Sequence, residues 1–250
     1  MKTNKLLVVS VILFLTGSLI ISCTEDSVKN ITVYQAMDYY PLAIGKYITY
    51  KTDSIHYFET IANDTVHVDI KEVLTDTFRD GSNFLNYRIE RFSRPSGTDS
   101  WTLVGTGTAN YKDVSVEKVE NNLRYIKLVS PVEKDVEWKG HAYLGGLSSI
   151  LVDQQCNNLV FLEGWEFCYT KVREPELVGV FNFEDVITVV QNGSQNLIEL
   201  NHSEEKYAKG VGMVYRFFRH YTTQNICPDC IWEENTQCGY SVRMTVIDYN

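Results

Sequence analysis

From about residue 40 onward, apolar and polar residues alternate in runs of strand length. Val66, Val68 and Ile70 alternate with His67, Asp69 and Lys71, the pattern of a strand with one buried face. Asp80-Gly81 is a hairpin turn signal, and in the segment beyond it Leu85, Tyr87 and Ile89 share a face. Trp101 to Tyr111 and Val114 to Val119 read as further strands, and Glu120-Asn121-Asn122 turns the chain into Leu123 to Val129. Phe181 to Gln191 is another strand, followed by a turn at Asn192-Gly193. Val211, Met213, Tyr215 and Phe217 are predicted to line one face of a long strand. Tyr240, Val242, Met244 and Val246 line one face of the last, against Ser241, Arg243 and Thr245. Gly145-Gly146 marks a loop in the least legible stretch, 139–163, where Ser148 to Gln154 is compatible with a helical turn. No stripe of helical period runs longer than two turns. About ten strands with short connections predict a mostly β fold: an antiparallel meander forming a curved sheet, half-barrel or barrel, with one face solvated and the other curled over a core or cavity.

The first 22 residues follow a different pattern. Lys2 and Lys5 precede an apolar run from Leu6 to Ile21, the layout of a secretory signal that is short for a membrane span. Ile20-Ile21-Ser22-Cys23 resembles the bacterial lipobox. That resemblance implies cleavage before Cys23, a diacylglycerol on its sulfur, acylation of the new amine and hence a palmitate-type anchor. The expected organisation is a signal peptide over 1–22, a polar tether over 23–36 and a single β-rich domain over 37–250. Thr24-Glu25-Asp26-Ser27 resembles the surface-export signal of lipoproteins from Bacteroidota-type bacteria.

Composition sharpens this reading. The 250 residues carry 23 basic and 32 acidic side chains, a net charge of −9, which argues against a nucleic-acid partner because phosphates require a basic face. The body is acidic, so anionic lipid repels it and the acyl anchor must hold it at the membrane. Sixteen tyrosines and five prolines favour sheet over helix.

Beyond Cys23 the cysteines are Cys156, Cys168, Cys227, Cys230 and Cys238, an odd number in a chain expected to meet an oxidising compartment. They are candidates for disulfides or for a metal site. Cys227-Pro228-Asp229-Cys230 admits a thioredoxin-like redox site, if it opens a helix, a zinc site with Cys238 and His220, or a stapled loop. The stapled loop is the expected one. One arrangement joins Cys238 to Cys227 or Cys230, and Cys156 to Cys168.

Three segments resemble a pattern in uncharacterised lipoproteins of Bacteroidota-type bacteria. Tyr40-Pro41-Leu42-Ala43-Ile44-Gly45-Lys46-Tyr47 is similar to their opening element. Pro131-Val132 with Trp138-Lys139-Gly140 is similar to an internal echo, with Asp135 where glycine is usual. Tyr207-Ala208-Lys209-Gly210-Val211-Gly212-Met213-Val214 is similar to a third element. The resemblance implies a half-barrel or lipocalin-like fold, an outer-membrane address and no catalytic residues. Asp26-Ser27-Val28, Asp53-Ser54-Ile55 and Asp64-Thr65-Val66 resemble O-glycosylation acceptors of the same bacteria.

No metalloprotease, serine-hydrolase, phosphate-loop or EF-hand motif is present in the sequence, and no cofactor is expected. His67 and His220 alternate with apolar neighbours and read as strand-surface residues. The expected function is a non-catalytic binding or scaffold module for an apolar or glycan ligand or an envelope partner, with Trp101, Trp138 and Trp165 as candidate lining residues. The alternatives are a structural envelope component without a pocket and a hydrolase acting on cell-surface polymers.

Overall fold

A computed structural model describes residues 33–59, 62–145, 149–153 and 158–250. The signal segment, Cys23, the acidic stretch after it and Cys156 lie outside the described residues. The strands are β1 (Tyr47–Phe58), β2 (Asp64–Arg79), β3 (Leu85–Pro95), β4 (Thr102–Lys112), β5 (Ser115–Glu120), β6 (Leu123–Val129), β7 (Glu137–Trp138), β8 (Ser149–Asp153), β9 (Asn158–Phe161), β10 (Phe167–Val178), β11 (Phe181–Asn192), β12 (Glu199–Ala208), β13 (Gly212–Thr222) and β14 (Cys238–Tyr249). Twelve form one antiparallel sheet in the order β6-β5-β4-β3-β2-β1-β14-β13-β12-β11-β10-β7, and β8 and β9 form a separate hairpin. The fold is therefore mostly β. Two meanders, one from each half of the chain, are joined where β1 pairs with β14.

The turns follow local chemistry. Asn121 and Asn122 both take positive φ (49° and 63°), as a tight two-residue hairpin requires, and Glu120 pairs with Leu123 across it. At the β2–β3 turn, the Asp80 carboxylate accepts from the backbone N–H of Ser82 (2.9 Å) and of Phe84 (3.0 Å).

The sheet curls until its edges nearly meet. Ile126 N–H donates to Gly140 O (2.8 Å), and the Trp138 indole donates to Ile126 O (2.8 Å). The Tyr169 hydroxyl donates to Val129 O (2.7 Å) and accepts from Val129 N–H (2.9 Å). The result is a barrel-like sheet around an interior. A 3₁₀ turn, Ala36–Tyr39, closes one end, with Tyr39 and Ala36 buried against Tyr50, Tyr169 and Tyr207. Ala36 N–H donates to Ser130 Oγ (2.8 Å) and Val132 N–H to Tyr34 O (3.0 Å), so the packed body takes in residues expected in the tether. Toward the other end, the segment following β8–β9 packs Leu162 and Trp165, with Val160 of β9, on Phe218, Tyr240 and Val242.

Two local readings are corrected. The described part of Ser148 to Gln154 is strand β8, not a helical turn. In β13 the register against β12 slips between Lys206 and Tyr207, so Met213 pairs with Tyr207 while Tyr215 pairs with Lys206. This β-bulge turns the strand over. Met213 stays inside, Tyr215 and Phe217 fall on the opposite face, and Arg216, Phe218 and His220 point inward. His220 is accordingly buried, its Nδ1 2.6 Å from Asn201 Oδ1, instead of lying on the strand surface. His67 does lie outside, 2.5 Å from Asp53.

Candidate functional site

Strand pairing decides which side chains enter the interior, because directly opposed residues share a face. Glu72 faces Arg91 across β2–β3, Glu205 faces Arg216 across β12–β13, and Lys118 faces Tyr125 across β5–β6. All lie on the inner face, together with Glu120 and Lys127. They form a continuous ladder of alternating charge. Arg91 Nε lies 3.6 Å from Glu72. Lys118 Nζ lies 2.8 Å from Glu72 and 2.6 Å from Glu120. Arg216 reaches Glu120 at 3.4 Å and Glu205 at 3.6 Å, and Lys127 Nζ meets Glu205 at 2.6 Å. The Tyr207 hydroxyl donates to the other Glu205 oxygen (2.5 Å). The ladder crosses the barrel, because Glu120 and Arg216 stand on strands far apart in the sheet order.

Burial would by itself raise these carboxyl groups, yet their partners win. Lys118 and Arg91 hold Glu72 below the ordinary carboxylate value. Lys118, Lys127 and Arg216 hold Glu120 well below it, and Lys127 and Arg216 hold Glu205 below it. Against the same desolvation, Glu120 and Glu72 push the Lys118 ammonium well above its usual value. The three carboxylates and Lys118 are thus held in their charged forms.

On one side of the ladder the interior is nearly filled, with a small pocket of about 50 Å³ beside Tyr50, Lys127 and Tyr207. On the other lies a cavity of about 700 Å³. Glu72, Arg91, Lys118, Glu120 and Arg216 line its polar side. Its apolar wall includes Ile70, Ile89, Phe218, Val242 and Met244. Gly105 and Gly107 leave the inner face of β4 bare, and Gly105 sits directly opposite Arg91. A Cβ added at Gly105 would meet nothing within 4 Å.

The three tryptophans are not gathered there. Trp101 sits beneath the Arg94 guanidinium, 4.4 Å from its centre. Trp138 packs on Phe167 and Tyr169 at the barrel seam. Trp165 is buried near His141 and lines a second cavity of about 410 Å³. Burial, with Lys127 adding, pulls the His141 imidazole down to about 4, so it is neutral at physiological pH.

Cys227 and Cys230 are disulfide-bonded, with Cα atoms 5.4 Å apart, in the loop between β13 and the short helix Trp232–Asn235. Neither sulfur is a thiolate, the form a zinc ion would need, and the motif does not open a helix. Cys238 is also disulfide-bonded and Cys168 is a free thiol. The anticipated joining of Cys238 to Cys227 or Cys230, and of Cys168 to Cys156, is therefore replaced by the nearest-neighbour pair. Among the described residues no cluster of His, Cys, Asp and Glu could hold a metal ion. No helix among them is long and apolar enough to cross a membrane. Of the possible glycosylation acceptors, Ser54 and Thr65 lie within β1 and β2.

Sequence reasoning missed the ladder. Its members are ordinary strand charges one by one, and only one feature hinted at them: charged residues at strand centres instead of strand ends. Comparison with protein-family models, curated proteins and solved structures finds no match to this chain.

Proposed function

We propose that this chain is a lipid-anchored envelope lipoprotein of the Bacteroidota type whose barrel is a non-catalytic module for binding a small ligand. One observation carries the binding half of this reading: a cavity of about 700 Å³ inside the barrel, walled by apolar side chains on one side and fixed charges on the other. Ligand pockets of roughly 300–1,000 Å³ with this division of labour are the rule. The cavity favours binding over a structural component without a pocket.

The ladder also weighs against the hydrolase alternative. Glu72 and Glu120 converge on the cavity, but Lys118 holds both ionised. A glycosidase-type pair needs one carboxyl raised so that it can donate a proton. Neither residue can do so near neutral pH.

The anchoring half rests on Ile20-Ile21-Ser22-Cys23 and the motifs described above. It places the protein in the cell envelope, on the outer membrane, held by its acylated N-terminus. A Cys23→Ser variant should stay unprocessed and lose the diacylglycerol mass on Cys23; a variant that matures and fractionates like the parent overturns the anchor. For the lumen, a neutral naphthylamine fluorophore should brighten on binding the purified protein, and Gly105→Phe should abolish the signal by filling the space opposite Arg91. Equal uptake by both proteins overturns the pocket.

A further inference from the structure

We infer that the ligand of the lumen is a monoanion with an apolar body, a carboxylate-headed amphiphile received head-first by Arg91 and Arg216. This rests on the binding reading above and adds the ligand's charge and orientation to it.

The first argument is a charge count. The ladder sets four cations (Arg91, Lys118, Lys127 and Arg216) against three carboxylates (Glu72, Glu120 and Glu205). One positive charge is in excess, inside a chain whose net charge is −9. Charge in a low-dielectric interior is costly unless it is matched. The excess belongs to the cavity side, because Lys127, at the far end, meets Glu205 at 2.6 Å, keeps only 4% of its surface and does not line the large cavity.

The second argument is donor geometry. A guanidinium presents a rigid fork of N–H donors shaped for a carboxylate. Arg91 makes no hydrogen bond among the described residues; its contact with Glu72, at 3.6 Å, is only an ion pair, and its buried Nε has no acceptor. Arg216 donates once, at 3.4 Å to Glu120, and its buried Nε also lacks an acceptor. Both side chains retain about a quarter of their surface (27% and 24%), and both line the cavity. By contrast, Lys118 and Lys127, each 4% exposed, have carboxylate partners at 2.8 Å or less. The lysines are satisfied and the arginines are not.

The third argument is room. The bare backbone of Gly105 faces Arg91, so a head group can reach the fork without displacing a side chain. From there the cavity continues along Ile70, Phe218 and Val242, a surface that suits an alkyl or ring body. A monoanion matches the single excess charge. A dianionic head would leave one negative charge uncompensated beside Glu72 and Glu120.

The experiment is displacement of the neutral fluorophore from the purified full chain by dodecanoate, dodecanol and dodecyltrimethylammonium, which share one tail. Dodecanoate should compete at least about tenfold better than dodecanol, the scale of a charge-assisted hydrogen-bonded pair. The cation should compete worst. Arg91→Gln should bring acid and alcohol together, each inhibition constant being taken against that variant's own fluorophore affinity. Equal competition by acid and alcohol in the native protein overturns the charge inference and leaves the pocket standing. Failure of the fluorophore to bind, or its indifference to Gly105→Phe, overturns the pocket itself. The comparison of the three tails on native protein needs no variant to fold.

Discussion

The two halves of the barrel interior are built by one sheet and differ in what fills them. On the closed side, Tyr39, Tyr50, Tyr169 and Tyr207 are wholly buried, and each hydroxyl has a partner. Tyr39 donates to Asp185 (2.7 Å), Tyr50 to Met213 O (2.9 Å), Tyr169 to Val129 O (2.7 Å) and Tyr207 to Glu205 (2.5 Å). These rings are long enough to meet at the centre, and burial raises all four phenols. On the hollow side, the inner positions include Thr52, Gly105 and Gly107, which are too short to meet. The ladder runs between them. Its Glu205–Lys127 end borders a pocket of only about 50 Å³, and its Arg91 end opens on the cavity of about 700 Å³. Side-chain length along the strands, with no change of fold, separates a packed core from a receptacle.

The sharpest way to break this comparison is to cut the ladder at each end. Glu205→Ala removes the carboxylate that both Lys127 and the buried Tyr207 hydroxyl contact, and should cost about 3–5 kcal/mol. Arg91→Gln removes the less buried end of the ladder, a side chain that keeps 27% of its surface and contacts Glu72 only at 3.6 Å, and should cost less than about 1 kcal/mol. Urea midpoints measure both. Equal losses would mean that the two ends are equally dry.

Acid attacks the whole ladder. The folded values of Glu72, Glu120 and Glu205 lie below the ordinary 4.5, so their contribution is complete above that value and is lost as pH falls through the folded ones. The urea midpoint should hold from about pH 7 to about pH 5 and then fall, more shallowly in Glu205→Gln. A midpoint that stays level at low pH would remove the ladder from the stability of the fold.

Two glycines on the same face give a finer contrast. A Cβ at Gly107 would lie 2.4 Å from Val119 O, whereas one at Gly105 meets nothing. Gly107→Ala should lose about 1–3 kcal/mol by overpacking, while Gly105→Ala stays near neutral. Tyr50→Phe leaves Met213 O without its donor and should cost about 1 kcal/mol. It should leave fluorophore binding in the hollow half untouched.

Much of the sheet was legible from local pattern. Alternation in β2, β3 and β14, the Asp80-Gly81 turn and the Asn121-Asn122 turn act over a few residues, so the sequence alone specifies them. In the last strand, Tyr240, Val242 and Met244 do face the cavity. β12 was harder to see, because its inward positions, Asn201, Ser203, Glu205 and Tyr207, are mostly polar and alternation of hydrophobicity vanishes. β10 carries three register shifts and a positive φ (57°) at Arg173, which scramble its period.

The candidate site belongs to tertiary structure. The bulge between Met213 and Tyr215 inverted the face read for β13, and this puts Arg216 inside. The ladder joins residues as distant as Lys127 and Glu205, 78 positions apart, and Glu120 and Arg216, 96 apart. Hydrophobic alternation fixes which side of a strand is wet, because that depends on neighbours two residues away. Which charges meet across a barrel, and how much room they leave, depends on how far the sheet curls, which is settled only when its edges come together.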